Sequence, residues 1–232
     1  DLRVLISIPQ DEPAWPGYTA LTIGAPAPKL VQRWIEQLAA PEHREEIAAA
    51  LAPSGPLHSL SDRLIDVVLL IWQSQRGSLP TTRAGLYKRV LEDILSLQET
   101  GVDRQSQIAA LQLLAAYGEQ PNFTLPNLIE AKDDQTVYFI YPQARRYLAA
   151  RQLVEEERFD LLHQVDQIER DELARLIATM LVDPSPLYVT LWQNGHPRPD
   201  DVLVLGHCLR ERVPPCSTWT LRITGALVRL TR

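Results

Sequence analysis

The chain has 232 residues and a net charge of −6, with 45% hydrophobic and 22% charged residues, the composition of an ordinary globular protein. Its size suits one large domain or a few small modules. The acidic balance argues against a chain built as a whole for nucleic acid, which shows a basic excess or a basic face.

The two cysteines, Cys208 and Cys216, are too few for a disulfide framework and point to a reduced, cytoplasmic setting. The apolar run "VVLLIW" (Val67 to Trp72) is too short to cross a bilayer, and "DLRVLISIPQ" lacks the basic start and long apolar core of a signal peptide. No membrane partner is expected. The chain opens without an initiator Met on a strand-like run, as expected of a piece of a longer protein.

In chain order, "LRVLISI" (Leu2 to Ile8) reads as a buried, parallel-type strand and "YTALTIG" (Tyr18 to Gly24) as a second short one. "PKLVQRWIEQLAA" is an amphipathic helix with Leu30, Val31, Trp34, Ile35 and Leu38 on one stripe and Pro28 at its first turn. "EHREEIAAALA" follows as helix. "PSGPLHSL" breaks the chain, and a helix runs through "HSLSDRLIDVVLLIWQSQRG", apolar nearly all round in its second half and stopped by Gly77.

"SLPTTRAGLYKRVLEDILSLQ" restarts at Pro80 and Thr82, with Leu86, Val90, Leu91, Ile94 and Leu95 in helical register. "DRQSQIAALQLLAAYGE" is a helix capped by Asp103 and stopped by Gly118. "NFTLPNLIEAKD" reads as a short helix and "QTVYFIY" as a strand. This order is that of a winged-helix-like module. From Ala144 the chain is helical again. It passes through "EEERFDLLHQVDQI", "RDELARLIATMLVD", "DDVLVLGHCLRER" and "TWTLRITGALVRLT", in the manner of stacked helical pairs. Leu221, Ile223, Leu227 and Leu230 leave an apolar last helix with no cap, as expected of a chain that continues.

The usual chemistry-bearing signatures are missing. There is no phosphate-cradling G-x-x-x-x-G-K-[ST] loop, no G-x-G-x-x-G, no G-x-S-x-G and no H-E-x-x-H. His196, His207, Cys208 and Cys216 lack the paired spacing of a zinc site, and Cys208 lies among Val204, Leu205 and Leu209 as a core cysteine would. Neither a catalytic residue nor a metal ligand is nominated. Arg145, Arg146 and Arg151 precede Glu155, Glu156 and Glu157 at spacings that permit Arg151–Glu155 and Glu155–Arg158 surface pairs, so the stretch reads as a solvated face. Ala144, Tyr147, Leu148 and Ala149 form a small apolar stripe suited to close helix packing rather than to a bilayer.

Three segments in this order resemble the region that follows the Walker motifs in NACHT-type signal-transduction ATPases of the STAND class. They are "RVLISIPQD", "SGPLHSLSDRLIDVVLLIWQSQRGSLPTTRAGLYKRVLEDIL" and "TVYFIYPQARRYLAARQL". "LPTTRAGLY" and "RRYLAARQL" are the most specific pieces, and the resemblance covers Leu2 to Leu153. It implies a mainly α fold with a few short strands at the N-terminus and in a wing. Residues 1–28 would end a nucleotide-binding α/β domain whose Walker segments lie upstream. Residues 29–77 would be a helical domain, 78–150 a winged-helix lid and 151–232 a HEAT-like arm.

By the same resemblance Pro56 is the candidate adenine contact, and Tyr141 stands where the family has a phosphate-sensing histidine. The sensor-1 arginine position is Ile8, and Arg146 replaces a glutamate. Neither Ile nor Tyr can give a phosphate the charge-assisted bond that Arg or His gives. The resemblance implies ATP or ADP bound only weakly or only together with the missing upstream domain, no catalysis by this chain alone, and protein partners or self-association through the arm. Two other readings stand beside it. A winged-helix nucleic-acid regulator would use Gln105 to Tyr117, which carries almost no cation beyond Arg104. A helical scaffold would bind protein.

Overall fold

The structure, a computed structural model, describes residues 26–97, 101–123, 125, 128–133, 136–192, 197–211 and 217–231, and the two N-terminal strands expected at 2–8 and 18–24 lie outside the described residues. The fold is mainly helical with a single two-stranded antiparallel sheet among the described residues.

Helix α1 is Pro28–Leu38, with Pro28 at its first turn, where its missing N–H leaves no helical bond unmade. Only part of its expected stripe faces inward: Val31 and Ile35 are buried, whereas Leu30 and Leu38 are exposed. A 3-10 turn, Pro41–His43, leads into α2, Arg44–Leu51. The chain then folds back on α2, with Leu57 N–H donating to Ala50 O at 2.9 Å. Gly55 makes that return possible: a Cβ there would stand 2.3 Å from Ala50 O and 2.4 Å from Ala49 O.

The long helix expected from His58 to Gly77 is two pieces. A 3-10 segment, His58–Asp62, is followed by Arg63 in extended conformation (φ −132°, ψ 124°) and then by α3, Leu64–Ser74. Gly77 takes no left-handed φ and does not cap the helix, which has already ended at Ser74. Val67, Leu70 and Ile71 are buried, but Leu64, Ile65 and Val68 are exposed, so α3 is covered on one side rather than all round.

Helix α4, Arg83–Ser96, starts on the Thr82 hydroxyl, which accepts from Gly85 N–H at 3.0 Å. Helix α5, Arg104–Tyr117, begins with Asp103 Oδ1 accepting from Ser106 N–H at 3.0 Å and ends on Gly118 at φ 75°. The short helix expected over 122–133 is replaced at its end by strand β1, Ile129–Asp133. It pairs antiparallel with β2, Thr136–Phe139, with Ile129 opposite Phe139. A lone β2 would have left its backbone groups without partners, and β1 supplies them.

Helix α6, Pro142–Glu155, follows at once. The helix expected from Glu155 to Ile168 is a 3-10 segment, Phe159–Gln164, and α7, Gln167–Met180, starts on Asp166 Oδ1, which accepts from Glu169 N–H. Helix α8, Ser185–Trp192, has no counterpart in the sequence reading. Its β-branched and aromatic residues disfavour helix, but Leu187, Tyr188, Leu191 and Trp192 are all buried, and that burial decides. Helices α9, Pro199–Glu211, and α10, Ser217–Leu230, complete the chain.

Helices α5, α6, α7, α9 and α10 lie side by side in chain order, each against the next, while α8 rests on α9 and on Phe159–Gln164. The alanine-rich face of α6 (Leu148, Ala149 and Ala150, all buried) lets its neighbours approach closely. Helix α4 touches α3 on one side and α6 and α7 on the other. One contiguous buried cluster runs from Val31 to Ala226.

Candidate functional site

The "LPTTRAGLY" segment sits at the head of α4, and its Arg83 and Tyr87 are buried. Arg83 is 1% exposed. Its Nη1 donates to Glu172 Oε2 at 3.2 Å, and its Nη2 donates to Ser59 O at 3.1 Å and stands 3.7 Å from Glu211 Oε1. Glu172 belongs to α7 and Glu211 to the end of α9, and both are buried. A guanidinium out of water requires such partners, since an unpaired buried charge is among the costliest features a protein can hold.

The cluster extends on both sides. Arg63 Nη2 reaches Glu172 Oε1 at 2.5 Å, and Ser59 Oγ donates to Glu211 Oε2 at 2.7 Å. Arg175 Nη2 lies 2.6 Å from Glu211 Oε1, and its Nη1 lies 3.4 Å from Glu172 Oε1 and 3.5 Å from Asp171 Oδ2. Burial works against the Arg175 charge, and Glu211, Glu172 and Asp171 together outweigh it, so its pKa lies above the ordinary value. His207 Nδ1 closes the chain of contacts at 2.7 Å from Asp171 Oδ1. Four stretches meet here: the 58–63 segment, α4, α7 and α9.

Behind Arg83, the Tyr87 hydroxyl donates to Asp66 Oδ1 at 2.7 Å. Burial pushes the Asp66 carboxyl above its usual range, although the Tyr87 hydrogen bond and the nearby Arg83 and Arg63 pull the other way. Burial, and then the Asp66 charge, push the Tyr87 hydroxyl well up. Arg63 Nη1, Asp66 Oδ2 and Arg83 Nε have no protein partner among the described residues. The cluster therefore carries more hydrogen-bonding capacity than the described residues satisfy.

A second buried pair joins α7 to α9. Arg170 Nη1 meets Asp201 Oδ1 at 2.8 Å, and its Nε and Nη2 donate to Leu162 O at 3.0 Å and Val165 O at 3.3 Å. One guanidinium thus ties the Phe159–Gln164 segment to α7 and α9.

The two arginines at the start of α6 are committed to the protein. Arg145 pairs with Glu169, and Arg146 Nε donates to Glu169 Oε2 at 2.8 Å, linking α6 to the first turn of α7. The Arg151–Glu155 pair forms at 2.9 Å, but Arg158 binds Asp160 at 3.0 Å instead of Glu155. Cys208 is fully buried, and burial holds its thiol well above the usual range, so it is an inert core residue. Cys216 and His196 lie outside the described residues. Among the described residues no three His, Cys, Asp or Glu side chains are grouped as a metal site requires. No described helix is long and apolar enough to cross a membrane.

The two positions implied by resemblance are both exposed and lie in different segments of the chain. Pro56 is in the turn between α2 and the His58–Asp62 segment, next to Gly55. Tyr141, 46% exposed, is the residue that opens α6 beyond the hairpin, beside the exposed Tyr138 and Ile140. Neither lines the open groove of about 420 Å³ between α9 and α10, whose walls include Leu203, His207, Arg210, Thr224 and Leu227. Helix α5, the candidate nucleic-acid reader, buries Leu111 and Leu114, packs on α6, and ties its Gln112 to Glu155.

The sequence reading passed over Arg83, Glu172, Glu211, Arg63 and Asp66. A signal was present: Asp66 is four residues before Leu70, and Glu172 is four before Leu176, so each carboxylate falls in a helix's apolar stripe. Compared with known proteins, the chain matches no family model, no curated protein and no solved structure.

Proposed function

We propose that the chain is the regulatory, non-catalytic portion of a STAND-type (NACHT) signalling ATPase, acting as a nucleotide-sensitive lid and interdomain switch. The observation that carries this reading is the placement of Arg83. One of the two segments most specific to the family, "LPTTRAGLY", is where the first helices, α4 and the arm helices α7 and α9 are tied together. A lid that transmits nucleotide state to an arm needs a joint at that place.

In this reading Pro56 packs on the adenine of ADP or ATP, and Gly55 sets its position by letting the turn close on α2. Tyr141 faces the phosphate side with a neutral hydroxyl in place of an imidazole, which weakens phosphate sensing and makes the binding weak. Chemistry belongs to the Walker segments upstream.

A thermal melt with and without nucleotide tests this. A ligand of the folded state stabilises it by RT ln(1 + [L]/Kd), about 2.7 kcal/mol at 100 times Kd. ADP at about millimolar concentration should raise the melting temperature, Pro56→Ala should abolish the rise, and the purified chain should not hydrolyse ATP. An unchanged melt, or robust turnover by this chain alone, contradicts the reading. A second reading, a helical protein-binding scaffold, is favoured by the exposed Leu64, Ile65 and Val68 of α3 and Leu221 of α10. It gives a melt indifferent to nucleotide.

A further inference from the structure

Most neighbouring elements of this protein are held by apolar packing, as α5, α6 and α7 are through Leu111, Leu148, Leu173 and their neighbours. The contact of the 58–63 segment with the arm is of another kind. Ser59 reaches Glu211, Arg63 reaches Glu172, and Arg83 is lodged between both carboxylates and the Ser59 carbonyl.

We propose that the Arg83–Glu172–Glu211 cluster is a releasable latch. Closed, it holds the 58–63 segment and the helices before it against α7 and α9; parted, it lets them swing from the arm while the α5–α6–α7 core stays intact. The inference rests on the switch reading above and names how its joint is held.

Three physical points support it. Desolvating buried ions offsets most of their mutual attraction, so such a cluster adds little net stability while fixing orientation tightly. Interfaces between parts that move are more polar than permanent ones. Finally, Arg63 Nη1, Asp66 Oδ2 and Arg83 Nε are left without partners among the described residues, and a partly satisfied buried network gives way before a dry apolar core does. Losing one member strands charges on the others, so intermediate positions are costly and the joint has two discrete states.

Hydrogen–deuterium exchange on the 232-residue chain tests the latch. The Glu172→Gln/Glu211→Gln double variant keeps shape and hydrogen-bonding groups but removes both charges facing Arg83. Exchange in residues 57–66 and 203–211 should quicken by about 10-fold or more, with α5 and α6 within about twofold of the parent. Uniform acceleration along the chain, as a plain structural role would give, overturns the proposal, and so does no change. If the double variant does not fold, Arg83→Lys replaces it. It keeps the charge but not the planar fork that spans two carboxylates, and the same local pattern should appear at smaller amplitude. No nucleotide is present in this measurement. A chain indifferent to ADP leaves the latch standing, and a joint that does not open leaves nucleotide binding standing.

Discussion

Asp66 is a carboxyl in an apolar stripe, with a tyrosine hydroxyl on one oxygen and no partner among the described residues on the other. Burial holds its pKa above the ordinary 3.8, so the folded chain binds that proton more tightly than the unfolded chain does. The stability this contributes is fully present below 3.8 and is lost as pH rises through the raised folded value. Asn is the isostere of the protonated acid and keeps an acceptor for Tyr87. Melting temperatures of Asp66→Asn and the parent, compared from about pH 4 to 7, should therefore diverge in the variant's favour as pH rises. A difference that stays constant with pH would show that the folded-state pKa of the carboxyl is not raised. Tyr87, Arg83, Arg63 and Glu172 are the charged or titratable groups facing Asp66, and Arg83 and Arg63 oppose the effect without reversing it. The place of Asp66 and Glu172 in apolar stripes was legible from local pattern, but the partners that complete the site were not. Arg83 and Glu172 are 89 residues apart and Ser59 and Glu211 are 152 apart, and neither spacing leaves a trace in the sequence around each residue.

Among the elements, what is decided locally was readable and what is decided by packing was not. Pro28 at the start of α1, Asp103 at the start of α5 and Gly118 at its end all act within four residues of themselves, and all stand as expected. The break at Arg63 and helix α8 depend on partners farther along the chain, the strand at Ile129–Asp133 depends on pairing with the strand that follows it, and all three were missed. The same contrast separates two glycines that both looked like helix stops. Gly118 has φ 75°, where an L side chain is strained, while Gly77 has no left-handed φ and nothing within 4 Å of a built Cβ. Gly118→Ala should cost about 1 kcal/mol in urea unfolding, whereas Gly77→Ala should be neutral or stabilise by a few tenths through the unfolded state, roughly 0.4 kcal/mol. Equal losses at both sites would refute the assignment of only one of them as a cap.

Over the whole molecule, a row of apolar-packed helices carries a polar joint at one side, and the exposed turn of Pro56 lies a few residues before that joint. The predicted mainly α class stands, and the alanine-rich stretch after Tyr141 packs as the sequence indicated, with Tyr147 through Ala150 buried. Arg145 and Arg146 bind Glu169, a partner 24 and 23 residues on, which the local spacing did not disclose. The central claim is that nucleotide bound near Pro56 and Tyr141 is felt at the Arg83 joint. Exchange of the native chain with and without saturating ADP measures this directly. The account requires slower exchange in residues 53–63 and 136–147 and at the end of α9, with α10 beyond residue 220 unchanged. Identical exchange along the chain at about millimolar ADP would contradict it.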